Sequence, residues 1–110
     1  MAGATPSPRR QRLALRLVLR PGAARDITAA HAWYRARSPE VAAGFLDALD
    51  ARLAELGRRP AAFPVVHRDV RRCLLGRFPY ALYFRLLPDE VRIVACTHLR
   101  RHHRRWQRRR

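Results

Sequence analysis

At 110 residues the chain has room for one small domain, and an apolar fraction of 48% supports a real core. Its net charge is +16: all 24 basic residues are arginine, and only eight acids oppose them. A balance so far from neutral favours polyanionic or acidic partners, and the lack of any apolar run of about 18 residues excludes a membrane-spanning helix.

The elements follow in chain order. Residues 1–11 lack the apolar centre of a signal peptide and are expected to be a disordered leader. R-L-A-L-R-L-V-L, residues 12–19, alternates, with Leu13, Leu15, Leu17 and Leu19 on one face. That is the period of a strand with one buried side. Pro21-Gly22 then breaks it. Ala23, Ile27, Ala30 and Tyr34 recur at helical spacing and predict a helix over 23–37. Ser38-Pro39-Glu40 opens a second helix, with Ser38 as cap and Pro39 at the first helical position. Its predicted stripe is Val41, Phe45, Leu49, Leu53 and Leu56, ending at Gly57. So short a junction predicts an antiparallel helical hairpin.

A turn-rich link containing Pro60 and Pro64 precedes three predicted strands, over 69–76, 80–87 and 90–98. Leu87-Pro88-Asp89-Glu90 suits a tight hairpin turn. The order β-α-α-β-β-β predicts an α+β fold: a helical hairpin on one face of a small, mainly antiparallel sheet. In the last strand, simple alternation sets Val91, Ile93 and Ala95 on one face. Arg92, Val94, Cys96 and His98 fall on the other, beside several of Arg71, Arg72, Arg77 and Arg85. The domain is expected to span 12–106, with 107–110 a frayed basic end.

Cys73 and Cys96 sit in apolar strand segments, as buried reduced thiols would. The spacing of Cys and His offers no zinc set, so neither metal nor cofactor is expected. The cysteine usage and the lack of a membrane span fit a cytoplasmic setting.

Several stretches together carry a resemblance. They are Pro21, Ala23, Asp26, Ile27 and Trp33-Tyr34; then S-P-E-V-A-A-G-F-L-D-A-L, Leu56, Pro60 and Phe63-Pro64. V-R-R at 70–72, F-P-Y-A-L-Y-F at 78–84, and V-R-I-V-A-C-T-H-L-R-R ending at Trp106 complete the set. In these the chain resembles the RelE/ParE superfamily of toxins from bacterial type II toxin–antitoxin systems, nearest its ParE-like, plasmid-stabilisation branch. The resemblance implies a growth inhibitor neutralised by a cognate antitoxin, with operator DNA contacted indirectly through that antitoxin. ParE-like members poison DNA gyrase; RelE-like members cut messenger RNA on the ribosome without metal. The family often has Asp-Pro after the H-x-x-R arginine, where this chain has His102-His103.

Both targets stay open at this stage, as does a plain basic nucleic-acid-binding or autoregulatory module. Metal-free RNA cleavage needs a base, an acid and cations for the phosphate. In that case His98 would move protons, while Arg72 and Arg101 would hold the phosphate with guanidinium forks. Arg71, Arg77, Arg100, Arg104 and Arg105 are candidates for target or RNA contact. Tyr83 joins them if exposed for stacking, against ordinary packing within the sheet. Trp33 is read as packing or antitoxin contact, Trp106 as a pin for the C-terminal segment, and Asp26 as an arginine partner that orients the first helix. Seven arginines and no acid among residues 98–110 suit salt-dependent phosphate contact or docking of an acidic antitoxin.

Overall fold

The computed structural model describes residues 15–101 and 104–110; the leader at 1–11, Leu13 and His102-His103 lie outside the described residues. Strand β1 (Arg16–Leu19) is followed by helices α1 (Pro21–Arg35) and α2 (Pro39–Arg58). Strands β2 (Val65–His67), β3 (Val70–Leu74), β4 (Tyr80–Leu86) and β5 (Glu90–His98) come next, and a 3-10 turn at Arg105–Arg108 closes the chain. The sheet order is β1-β5-β4-β3-β2, with β1 parallel to β5 and the other neighbours antiparallel. Both helices cover one face, which is the α+β arrangement expected from the sequence.

Each helix starts where a proline suits its first turn. Pro21 does not merely end β1; it opens α1, two residues earlier than the apolar spacing marks. Ser38 caps α2 by accepting the Val41 N–H at 3.2 Å. The α1 stripe is as read, with Ala23 and Ala30 buried and Ile27 and Tyr34 packed against the core. On α2 the stripe is rotated: Ala42 is buried and Val41 is 43% exposed. Positions 42, 45, 49 and 56 follow the 3.6-residue period more closely than a strict four-residue step from 41 does.

β1 keeps its predicted phase but not its burial. Leu17 and Leu19 pair with Val91 and Ile93, yet remain more than a third exposed because β1 is an edge strand. β2 is a strand inside the link read as turn. It has three residues and pairs antiparallel with β3.

The largest departure lies in β5. Tyr83 pairs with Ala95 and Phe84 with Ile93, so Val94 is an extra residue, a β-bulge. Val94 and Ala95 therefore both face away from the helices, in a small cluster with Val70, Ala81, Tyr83 and Trp106. Cys96 returns to the helix-side core with Val91, Ile93, Phe45 and Tyr80. The bulge flips every later side chain relative to simple alternation. His98, opposite Tyr80, thus lies on the helix side, not with Arg92 on the far face.

The last residues are tied down, in contrast to the frayed end expected. Trp106 lies flat on Tyr83, with ring centroids 4.1 Å apart and planes 7° apart, and meets His67 edge-on. Arg109 bonds the Asp26 carboxylate at 2.5 Å and the Val94 carbonyl at 3.3 Å. Residues 105–110 form a strap from the far face of the sheet around the β5 edge to α1.

Candidate functional site

A cleft of about 170 Å³ opens where β5 runs past the end of β1. Its walls are Ala29, Ala30 and Trp33 from α1, and Cys96, Thr97 and His98 from β5. Asp26, Tyr80, Arg101 and Arg105 complete it. It exists because β1 stops at Leu19, leaving the second half of β5 without a strand neighbour on that side. The Cys96 N–H on that edge is capped by Asp26 Oδ2 at 3.0 Å, as an unpaired backbone donor requires. Asp26 therefore holds three partners: the β5 backbone, Arg109, and Arg105 at 3.9 Å. It ties α1 to the sheet, the role in which it was read from the sequence.

His98 stacks edge-on against Tyr80 at 5.2 Å. Its Nδ1 accepts the backbone N–H of Arg100 at 3.1 Å and of Arg101 at 3.4 Å. The ring thus closes the turn that follows β5. Arg101 swings back over the cleft, donating to the Tyr80 hydroxyl at 3.4 Å and lying 5.4 Å from the Trp33 ring centroid. Arg37 covers a face of the same tryptophan at 3.6 Å and bonds its carbonyl at 2.9 Å. Such a stack fixes a guanidinium while leaving in-plane N–H groups able to donate. Burial raises the Tyr80 hydroxyl above its ordinary range, and the Arg101 charge opposes that rise.

Arg72 is elsewhere. It pairs in register with Tyr83 on the far face, so the sheet separates it from His98. Burial raises the Tyr83 hydroxyl, with Arg72 opposing. Tyr83 itself is only 2% exposed and its ring is covered by Trp106, which leaves that ring face no room for a base. Arg71 faces the helix side and donates to the Phe63 carbonyl at 2.6 Å and the Ala61 carbonyl at 3.3 Å, holding the link in place. Arg77 is exposed over the Phe78 ring. Arg100 and Arg104 are exposed, and Arg105 lines the cleft. Of the three residues assigned to RNA cleavage, the fold brings His98 and Arg101 together and leaves Arg72 apart.

The wider charge distribution sharpens the site. Among the described residues, four carboxylates are each held by two arginines: Glu90 by Arg16 and Arg92, Glu55 by Arg52 and Arg59. Asp69 is held by Arg85 and Arg110, and Asp26 by Arg105 and Arg109. No described ion pair involves Arg37 or Arg101, the two arginines that lie against Trp33, and the same holds of arginines elsewhere on the molecule, among them Arg25, Arg58, Arg68 and Arg72.

Two contributors were missed in the sequence. Thr97 borders the cleft on β5, but it pairs with Ala81 of the far-face cluster, so its buried hydroxyl, without a hydrogen-bond partner among the described residues, lies on the far side of the sheet from His98. Arg109 gave no sign of its role beyond being one of a run. The thiols match the inert reading: burial pushes Cys73 up to about 11 and Cys96 to about 12. Among the described residues no group of His, Cys, Asp and Glu is placed to hold a metal ion, and no helix is long and apolar enough to cross a membrane.

Comparison with known proteins gives a consistent result. The family model for the ParE toxin of the type II toxin–antitoxin system parDE matches residues 17–106. The solved structure of a chromosomal ParDE toxin–antitoxin system from P. aeruginosa is similar to this chain, with a TM-score of 0.69 and 22% identity. The match covers 77% of this chain and 96% of that one; at that identity the likeness concerns the fold. No curated protein matches the sequence significantly.

Proposed function

Because the chain belongs to the ParE toxin family of type II toxin–antitoxin systems, we propose that it stops growth by binding a protein target, DNA gyrase, rather than by cutting RNA. A cognate antitoxin is its partner as a member of such a system. In this reading operator DNA is met through the antitoxin, and the protein works in the cytoplasm. In this reading the described residues 15–101 and 104–110 belong to one toxin domain, the strap of 105–110 included.

The observation that supports binding over cleavage is the placement of Arg72 and His98 on opposite faces of the sheet. In-line attack by a ribose hydroxyl needs a proton acceptor and phosphate-holding cations around one atom. Here His98 uses Nδ1 to hold its own turn, and arginine is a poor proton carrier at neutral pH. The far face, where Arg72, Arg85 and Arg92 lie, presents Tyr83 already stacked by Trp106, with Arg85 and Arg92 in ion pairs. What remains is an arginine-rich surface carried on a rigid scaffold, which suits recognition. His98, Arg101 and Arg105, with exposed Arg77, Arg100 and Arg104, form the contact surface in this reading; Arg71, Arg72 and Tyr83 serve the fold.

The test is a supercoiling assay with purified gyrase, relaxed plasmid and this protein. Inhibition at stoichiometric amounts, relieved by the antitoxin, is the expected result. Full-rate supercoiling at large excess would remove gyrase as the target.

A further inference from the structure

We propose that a second recess, at the opposite end of α1 from Trp33, binds a phosphate dianion, either inorganic phosphate or the terminal phosphate of a small molecule. This adds a ligand site to the toxin and does not depend on which macromolecule the toxin inhibits.

The recess measures about 260 Å³ and is bounded by Arg20, Arg25, Arg109 and Arg110, with Pro21, Gly22 and Val94 making up the rest. Three separate stretches supply the arginines: the residue that follows β1, the second turn of α1, and the C-terminal strap. Two of these stretches are fixed to the bulged strand. The Arg20 N–H bonds the Ile93 carbonyl at 2.9 Å. The Arg109 guanidinium donates to Asp26 and to the Val94 carbonyl. It lies so close to Gly22 that a Cβ there would stand 3.2 Å from it. The bonds of Arg109 run from Nη1 and Nη2, and no described bond uses its Nε–H.

Charge is the main argument. No carboxylate bounds this recess. Asp26, which holds Arg109, lines the other cleft. Arg110 reaches Asp69 only at 3.9 Å, and Arg20 and Arg25 make no described ion pair. Guanidinium groups gathered around one small space repel one another. An anion among them would relieve that repulsion and gain charge-assisted bonds from cations that the fold has already brought together.

The number and direction of these donors select the anion. A phosphate monoester carries about −1.5 to −2 charge near neutral pH and offers three strong acceptor oxygens, so it can take guanidinium forks from several sides at once. A carboxylate offers one charge and two oxygens. A backbone phosphodiester fits less well, because a polymer must enter and leave on both sides of it, and no aromatic ring bounds the recess to stack a base. The volume is also just under the roughly 300 Å³ where small-molecule sites begin, which suits a phosphate and the first atoms of the group that carries it.

Calorimetric titration of the full-length protein at fixed ionic strength and pH 7.5 tests this. The probes are inorganic phosphate, adenosine 5′-monophosphate, adenosine, and a short DNA duplex without terminal phosphates. The monophosphate is expected to bind and adenosine not. Tighter binding of the monophosphate than of inorganic phosphate would assign the site to a phosphate ester; equal or weaker binding would assign it to phosphate itself. Arg20→Gln and Arg25→Gln should each weaken binding about tenfold. Arg58→Gln removes the same charge from an exposed position near Gly57, whose carbonyl bonds Leu15 at the other end of β1. It should change binding by less than about twofold, since salt screens so distant a charge. Circular dichroism of each variant confirms folding.

Equal losses for Arg25→Gln and Arg58→Gln would mean diffuse attraction and overturn the site. So would adenosine binding as tightly as its monophosphate, or no heat from either phosphate probe at about 10 mM. Duplex binding that needs Arg20 and Arg25, with no binding of the phosphate probes, would make the surface a nucleic-acid contact and overturn the proposal too. Gyrase inhibition is read in a separate assay, so the two ideas fail independently.

Discussion

The C-terminal strap gives the firmest quantitative test, through Trp106→Ala. Trp106 is 6% exposed, stacked flat on Tyr83 and edge-on to His67. Truncating a buried tryptophan to alanine costs about 3–5 kcal/mol. Of that, about 0.5–1.5 kcal/mol belongs to the aromatic stack beyond the area it buries. The change also loosens the anchor that holds Arg109 near Asp26, so the loss should not fall below this range. For a domain of this size each kcal/mol lowers the midpoint by roughly 4–8 °C, which gives a drop of at least roughly 12 °C. Thermal unfolding followed by near-ultraviolet circular dichroism reads both the midpoint and the aromatic signal. A midpoint within about 4 °C of the parent would mean that the strap is not packed in solution, and the description of the far face would be wrong.

Other expectations follow from the ion pairs and thiols. Asp26→Asn keeps an acceptor for the Cys96 N–H but loses the charge on Arg109; Arg109 is one-quarter exposed, so the loss should be only about 1–2 kcal/mol by denaturant titration. Arginine partners hold Glu55, Asp69 and Glu90 below the usual carboxylate range. Their stabilisation is present above the unfolded-state values and is lost as pH falls through the lower folded-state ones. Unfolding midpoints should therefore be flat near neutrality and decline below about pH 4; a midpoint that rose on acidification would contradict this. Cys73 and Cys96 should resist iodoacetamide at pH 7.5 in the folded protein and react once it is denatured, as mass spectrometry would show.

Much of the scaffold was legible because it depends on local pattern. The α1 stripe, the Ser38 cap and the hairpin turn at Pro88-Asp89 each combine a period with a punctuating residue. The bulge at Val94 was not legible. Val94 and Ala95 are both apolar, so the alternation of β5 reads equally well with or without an extra residue, yet that residue decides which face receives His98. β2 was hidden because three residues flanked by a proline-rich link carry no usable period. The partnership of Asp26 with Arg109 spans 83 residues of sequence, and nothing local distinguishes Arg109 from the arginines on either side. The aromatic and basic residues of the site were visible singly; their grouping depended on the bulge and on where β1 stops.

In the proposed reading this toxin acts by binding DNA gyrase and not by cutting RNA. Mapping new RNA 5′ ends in bacteria, minutes after inducing the protein without its antitoxin, tests it most directly. Growth arrest with no fresh cuts in translated messages is the expected result. Cuts inside translated messages that disappear in a His98→Ala control would contradict the account and make the cleft a ribonuclease site.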